Sequence, residues 1–525
     1  MDDLTVLNAS EMVEKFREGD LSVVDVIEAH IQRIETVNPK INAVILPLFE
    51  RARAEAKEAD KKYASGGMLG PLHGVPITIK DQFHIKGLPT TFGVARLKNQ
   101  LATEDGAMVA ALRTAGGIIL GKTNVPQTLS VVETNNAIWG RTNNPWDLSR
   151  TSGGSSGGEA AIVSAGGSLI GLGCDYGGSI RLPAAWCGIY GLKPTARRLY
   201  ADSAPVRTAR GRECVVTQPG PLARSVADLI LAFRLMVNHV VAHPTGSNPP
   251  LPFREPNTIE INHLRVALLP KIGEWSPAPP IQRALQEASD ALRAQGATVE
   301  EWTTAPNTQK GVNLFFNIVG ADGFSWVKQI LDGEKPVPLM KPSVQVSSLP
   351  GAIIPVAATL LRMTGQHHLS RMLRNMRQQS AEGLMNLLGN RLDYETHFVT
   401  ALDIGNYDAI LCPALPLPAV HHGDVGNLAD FWGSMLLFNT LGMPAGVAPI
   451  TRVRPDEEGN WLEGKDKAEQ TANSVMNGSA GLPVAVQVAA RHWREDVVLA
   501  VMAALEKHFK EQPSYPTTPT IFPGD

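Results

Sequence analysis

From His73 to Cys174 the chain alternates short, wholly apolar runs with segments of helical periodicity, and this alternation narrows the fold more than any other feature. HGVPITIKD (His73 to Asp81) reads as a short buried strand with Ile77 and Ile79 on one face and Thr78 and Lys80 on the other. DGAMVAALRTAGG reads as a helix ended at Gly116, IIL as a brief strand, GEAAIVSAGG as a helix, and SLIGLGC as an apolar strand. Alternation of this kind is the grammar of an α/β fold.

The same reading extends outward. Near the N-terminus, Ser22 with Asp25 forms an S-x-x-D cap, and Val23, Val26, Ile27, His30, Ile31, Ile34 and Val37 recur at helical spacing until Asn38-Pro39, where the helix is expected to stop. A charged helix follows over Phe49 to Tyr63. The Pro-rich stretch Ala242 to Thr258 reads as a surface connection, after which HLRVALL and ATVEEW are predicted strands flanking the helix IQRALQEASDALRAQG. The region Val337 to Leu402 is helical, and LPGAIIPVAATLLRMTG within it is apolar but short of the ~20 residues a membrane span needs. A core helix is the plain reading of that segment. An exposed apolar element at a substrate mouth or a membrane surface is the sharper one. LFNTLGMPAGVAPI and GLPVAVQVAA read as buried and strand-rich, separated by a charged insertion, RPDEEGNWLEGKDKAE.

Charge excludes one class of function. With 51 acidic against 48 basic side chains among 525 residues, nothing supplies the basic stripe that a nucleic-acid partner requires. Cys174, Cys187, Cys214 and Cys412 are widely spaced and lack C-x-x-C pairing, so reduced thiols and a cytoplasmic location are expected. The acidic, amphipathic start lacks the basic residues and apolar run of a secretory signal.

Three short motifs compete for attention. GGIILGKT (Gly116 to Thr123) satisfies the phosphate-loop pattern, but its variable positions are strand residues and Pro126 stands where the helix should begin. GGSSG (Gly153 to Gly157) satisfies G-x-S-x-G, yet TNNPWDLSR before it is rich in turn formers where a nucleophile elbow needs a strand. The pairs His367-His368 and His421-His422 have no H-x-x-x-H partner, so surface or packing roles are expected rather than metal binding.

In TSGGSSGGEAA, Ser156 and Glu159 form a predicted capping box at the start of a helix, which leaves Ser155 unexplained. Downstream, GCDYGGSIRLPAAWCGIYGLKPT ends a strand at Cys174 and turns through two glycines to Ser179. Consecutive amides in such a turn suit an anion or a developing oxyanion, and on the residues alone a catalytic serine and a structural turn stand equally open. Lys80 alone would read as a strand-end lysine paired with Asp81.

HGVPITIKD, GGSSGGEAA and CDYGGSIRLPAAWCGIYGLKPT, in that order and spacing, resemble the amidase signature family of serine hydrolases, and LGMPAGVAPI with GLPVAVQV resembles its C-terminal region. Within the family, the chain is most similar to fatty acid amide hydrolases. The resemblance implies one large α/β/α domain over residues 1–525, with a central mixed, twisted β-sheet covered by helices on both faces. Its parts would be N-terminal helices (1–65), the catalytic core (66–240), the Pro-rich connection (241–258), a region with apolar substrate-channel helices (259–400) and the C-terminal part of the core (401–525). It also implies Ser179 as acylated nucleophile, Ser155 as bridging serine after a cis Gly154–Ser155 bond, and Lys80 as base. The amides of Tyr176, Gly177, Gly178 and Ser179 would form the oxyanion hole.

Such chemistry needs no histidine, metal or cofactor: a buried lysine whose pKa falls towards about 7–8 can take a serine proton when neutral. Asp175 and Arg181 are expected to hold the nucleophile turn through charge-assisted hydrogen bonds. Cys174 and Tyr176 stand where the family often has threonine, so substrate range cannot be transferred from a relative. The expected substrate is a small-molecule hydrophobic or aryl amide, with esters and carbamates open. A homodimer and peripheral membrane contact are also open. The rival reading is an amidotransferase A-type subunit acting on glutamine, with a partner, for aminoacyl-tRNA. Glu159 and the long Val337 to Leu402 insertion argue against it.

Overall fold

Eleven strands join in one mixed sheet. The computed structural model describes residues 4–200, 214–245, 248–346, 353–517, 519 and 521. In chain order the strands are β1 (Val44–Pro47), β2 (Pro76–Lys80), β3 (Ile118–Thr123), β4 (Asn135–Asn136), β5 (Gly140–Arg141), β6 (Asn143–Asn144), β7 (Asp147–Thr151), β8 (Ile170–Asp175), β9 (Tyr190–Lys193) and β10 (Gln218–Ala223). They continue with β11 (Arg265–Leu268), β12 (Thr298–Glu301), β13 (Ala409–Pro413), β14 (Ala445–Arg452) and β15 (Pro483–Ala490). The main sheet runs in the order β1-β3-β2-β8-β10-β9-β14-β15-β13-β11-β12, while β4 pairs with β5 and β6 with β7 as two small ribbons outside it.

β2 runs parallel to β3 on one side and β8 on the other, with Ile79 opposite Leu172 and Lys80 opposite Thr123. All three are buried along their length, as parallel strands covered on both faces must be. Their carboxyl ends finish together, at Lys80, Thr123 and Asp175. In open α/β sheets ligands bind beyond such ends, so this rim is where a site is expected.

Helices cover the sheet, among them Gly157–Ser164 against β2 and β8, Pro279–Ala294 against β13 and β15, and Glu495–Phe509 against β14 and β15. The apolar interior divides into one extended cluster and a second around Trp302, Phe315, Phe398 and Leu436. Cys174 and Ile180 belong to the first and Tyr176 packs on the second, so the turn from Asp175 to Ile180 lies between them.

The helix expected to stop at Asn38-Pro39 runs on from Val23 to Ile41. Pro39 lies in its last turn, where the missing N–H costs a single intrahelical bond, and Asn38 closes the end. Its Oδ1 accepts from the amides of Ala43 and Val44 at 2.8 Å, while its Nδ2 donates to Val44 O at 2.9 Å.

The apolar segment of the 337–402 region is a helix, Ile353–Met363; residues 349–352 of it lie outside the described residues. It is not a core helix all round. Ile354 and Ala358 are buried, while Ile353, Val356, Leu360 and Met363 form one face that is 47–79% exposed. Among the described residues no helix is long and apolar enough to cross a membrane.

Candidate active site

Strand alternation decides where Lys80 points. Thr78 and Lys80 share the face of β2 that meets the Gly157–Ser164 helix, and Lys80 is fully buried. Its Nζ is hydrogen-bonded to Ser155 Oγ at 2.7 Å and donates to Cys174 O at 3.2 Å. Burial pulls the ammonium down to about 8, against the neighbouring Cys174, Asp175 and Glu159, which favour the charge.

Asp81 is not its partner, contrary to the strand-end reading. The carboxylate is taken by Lys122, whose Nζ lies 2.7 Å from Asp81 Oδ1 and also donates to Pro89 O and Thr90 Oγ1. Lys122 is the lysine of GGIILGKT, and that motif is strand β3 rather than a phosphate loop.

The loop after β7 supplies the two serines. The peptide bond Gly154–Ser155 is cis, as the resemblance implied. Gly153 has φ +84°, and a Cβ there would come within 2.7 Å of Leu182 Cδ2 and 2.9 Å of Pro183 Cα, so only glycine fits between the loop and the next helix. Thr134 fixes the loop by donating its amide and hydroxyl to Gly153 O at 3.1 and 2.8 Å.

The expected capping box at Ser156 is absent. Ser156 occupies the N-cap position, but its side chain makes no cap hydrogen bond, and its amide donates to Ser179 O at 3.1 Å. That amide is the one Glu159 would have needed. Glu159 instead turns into the sheet, where its carboxylate accepts from Thr78 Oγ1 at 2.6 Å and Thr123 Oγ1 at 2.8 Å.

Asp175 organises the nucleophile turn. Its carboxylate accepts from the amides of Gly178 (2.8 Å) and Ile180 (3.2 Å), from both arms of Arg181 (3.0 and 3.1 Å) and from Asn439 Nδ2 (3.0 Å). Burial alone would raise this carboxyl, but the Arg181 guanidinium overrides it and holds Asp175 well below the usual carboxylate range. Arg181 is braced in turn by Gln487 Oε1 at 2.7 Å and Asn439 Oδ1 at 2.6 Å. Asn439 and Gln487 were not singled out from the sequence, although each is a lone amide in an apolar run, LLFNT and PVAVQVAA. A buried polar residue there must find a partner.

The oxyanion expectation needs one correction. The Gly178 N–H is already donated to Asp175, because a carboxylate locked by Arg181 stands beside it. The amides of Gly177 and Ser179 find no acceptor among the described residues, and both residues are half-buried. Tyr176 leans its ring on Phe315, with centroids 5.8 Å apart. The hydroxyls of Ser155 and Ser179 are not hydrogen-bonded to each other; their loops are joined by the Ser156–Ser179 backbone bond.

Of the two histidine pairs, His367 is exposed, while His368 packs on Trp275 with ring centroids 4.3 Å apart and bonds Asp430 at 3.2 Å, and His422 Nε2 lies 3.3 Å from Leu148 O. Among the described residues no group of three or more His, Cys, Asp or Glu side chains could hold a metal ion.

The family model described as Amidase matches residues 25–499. A fatty-acid amide hydrolase 1 from Sus scrofa is 33% identical over 512 residues, covering 96% of this chain and 86% of the relative. An acylamidase from Rhodococcus erythropolis is 30% identical over 522 residues and 95% of each chain. A solved fatty acid amide hydrolase superposes with a TM-score of 0.85 at 28% identity, covering 97% of this chain and 86% of its own. The chain belongs to the amidase signature family of amide-bond hydrolases.

Proposed function

We propose that this amidase cleaves the C–N bond of hydrophobic acyl or aryl amides with Ser179 as nucleophile, Ser155 as proton relay and Lys80 as base. The observation that carries the reading is the 2.7 Å hydrogen bond between fully buried Lys80 Nζ and Ser155 Oγ, beside half-buried Ser179. Neutral Lys80 takes a proton from Ser155 as Ser155 takes one from Ser179, whose Oγ attacks the substrate carbonyl. The amides of Gly177 and Ser179 stabilise the oxyanion. Ser155 returns the proton to the departing amine, leaving an ester on Ser179 Oγ, and water resolves it by the same relay in reverse.

Two features support an apolar acyl group. The nucleophile turn is walled by Tyr176, Phe315 and Leu436, and a Cβ on Gly177 would lie 2.9 Å from Phe315 Cζ. The exposed face of Ile353, Val356, Leu360 and Met363 suits a nonpolar substrate or a lipid surface. Names of relatives such as fatty-acid amide hydrolase and acylamidase agree with that class. The four cysteines, all free thiols, support a reducing cytoplasmic setting.

The test is hydrolysis by the isolated chain of p-nitroanilides, primary amides, fatty amides, esters and carbamates of graded chain length. Specificity rising with acyl length supports the reading. Hydrolysis of glutamine with none of the others would return the chain to the amidotransferase class.

A further inference from the structure

From Arg150 to Thr195 every residue is buried except Tyr176, Gly177 and Ser179. A substrate therefore meets this part of the chain at those three residues. The turn is closed on one side: a Cβ on Gly177 would lie 2.9 Å from Phe315 Cζ and 3.2 Å from Leu436 Cδ2, and one on Gly178 would lie 2.7 Å from Met435 Cβ. The Tyr176 ring is set against Phe315 at 55°. Phe315 stands edge-on to Phe316 with centroids 6.0 Å apart, and Phe316 stands edge-on to Trp432 at 5.9 Å. Such a run of tilted and edge-to-face rings fixes the phenol in place.

We propose that Tyr176 is a specificity-determining residue: its ring lies beside the scissile carbonyl and selects flat, aryl acyl groups over saturated ones of the same size. The proposal rests on the reading of Ser179 as nucleophile. The amides of Gly177 and Ser179, which find no acceptor among the described residues, hold the carbonyl oxygen over this turn, and the accessible side chain next to them is that of Tyr176. A fixed aromatic ring attracts a second ring beyond the area it covers, and an alkyl group does not receive that attraction.

The apolar surroundings of Tyr176 mark the acyl side of the substrate rather than the amine side. Tyr176 packs on the cluster that contains Phe315 and Leu436, and Met372 and Met376 pack on the same cluster. Met372 lies in the helix His367–Asn375, which packs both on Thr308–Gly320, the helix of Phe315, and on Ile353–Met363, the helix with the exposed apolar face. Apolar side chains thus connect that face to the ring of Tyr176. Ser155, which hands the proton to the departing amine, sits on the separate loop joined to the turn by the Ser156–Ser179 backbone bond.

The experiment compares kcat/KM for the p-nitroanilides of benzoic and cyclohexanecarboxylic acid in wild type, Tyr176→Phe and Tyr176→Leu. Intrinsic reactivity cancels when the same pair is compared between enzymes, and the backbone amides are untouched. The benzoyl-to-cyclohexanecarbonyl ratio is expected to fall by about 3–10-fold in Tyr176→Leu and to hold in Tyr176→Phe, which keeps the ring. A merely structural role would lower both rates together and leave the ratio alone. An unchanged ratio in folded Tyr176→Leu overturns the proposal, and so does an equal fall in Tyr176→Phe, which would assign the effect to the hydroxyl. If Tyr176→Leu does not fold, Tyr176→Thr decides in its place by the same ratio. A second series holds the acyl group as hexanoyl and changes the amine from aniline to cyclohexylamine. That ratio is expected to stay constant, and a change there instead of in the acyl series overturns the acyl-side assignment. A serine-reactive fluorophosphonate separates the two readings. With the label on Ser179 and the ratios unmoved, only the role of Tyr176 fails; a label on another residue fails the nucleophile reading itself.

Discussion

Lys80 Nζ and Ser155 Oγ lie 2.7 Å apart although 75 residues separate them in the chain. The lysine must be neutral to accept a proton, and burial places its pKa at about 8. Amide hydrolysis is therefore expected to rise with pH through about 8 and then level, read from kcat/KM. A rate independent of pH from 6 to 10 would exclude Lys80 as the base.

The same lowered pKa ties stability to pH. An unfolded lysine keeps its proton to about 10.4, so between about 8 and that value the unfolded chain binds more protons than the native one, and stability rises with pH. Lys193, which burial pulls to about 7, acts in the same direction. A Lys80→Met variant is expected to lose about 3 kcal/mol of that rise, seen by comparing its urea unfolding with wild type at pH 7.5 and 10.5. Parallel profiles would show that Lys80 titrates normally.

Ser179→Ala, Ser155→Ala and Lys80→Ala are each expected to lower kcat by about 10²–10⁴-fold while leaving the fold intact by circular dichroism. A serine-reactive fluorophosphonate should label Ser179. Unchanged turnover in Ser179→Ala, or a label mapped to another residue, would end the nucleophile assignment.

Arg181 is buried and shares two hydrogen bonds with Asp175. Arg181→Met leaves that carboxylate without its counter-charge, so a loss of about 3–5 kcal/mol is expected from denaturant midpoints, along with lost activity. Arg181→Lys should not restore either, since an ammonium cannot span Asp175, Asn439 and Gln487 as the planar fork does.

Leu360 is 59% exposed and Ile354 only 3%. Leu360→Glu is expected to change stability by less than about 0.5 kcal/mol, whereas Ile354→Glu should destabilise the segment severely. If the exposed face guides acyl chains, Leu360→Glu will raise KM for long-chain amides and spare short ones. Equal KM changes at every chain length would remove this helix from substrate recognition.

Local patterns are legible in the sequence where distant partnerships are not. The Ser22 cap, the strand ending at Lys80 and the strand hidden in GGIILGKT depend on residues a few positions apart, and the chain shows them as periodicity. Glu159 reads as half of a capping box because its nearest candidate partner in the chain is three residues away. Its actual partners, Thr78 and Thr123, are 81 and 36 residues away, and the amide it would have capped belongs to Ser179. Lys80 read by itself pairs with adjacent Asp81 for the same reason, although adjacent strand residues face opposite sides and Lys122 reaches Asp81 from β3. The family resemblance implies Gly178 as an oxyanion donor, and nothing in the turn's own sequence reveals that Asp175, once anchored by Arg181, claims its N–H.

The pairing of β2 with β8, Ile79 opposite Leu172, is also the alignment of base to nucleophile, because Lys80 closes one strand and the turn bearing Ser179 leaves the other. Side chains alternate with period two, so a slip of β2 by one residue would send Lys80 to the opposite face and bring Ile79 beside Ser155. Backbone hydrogen bonds thus act as the ruler that spaces the reacting groups.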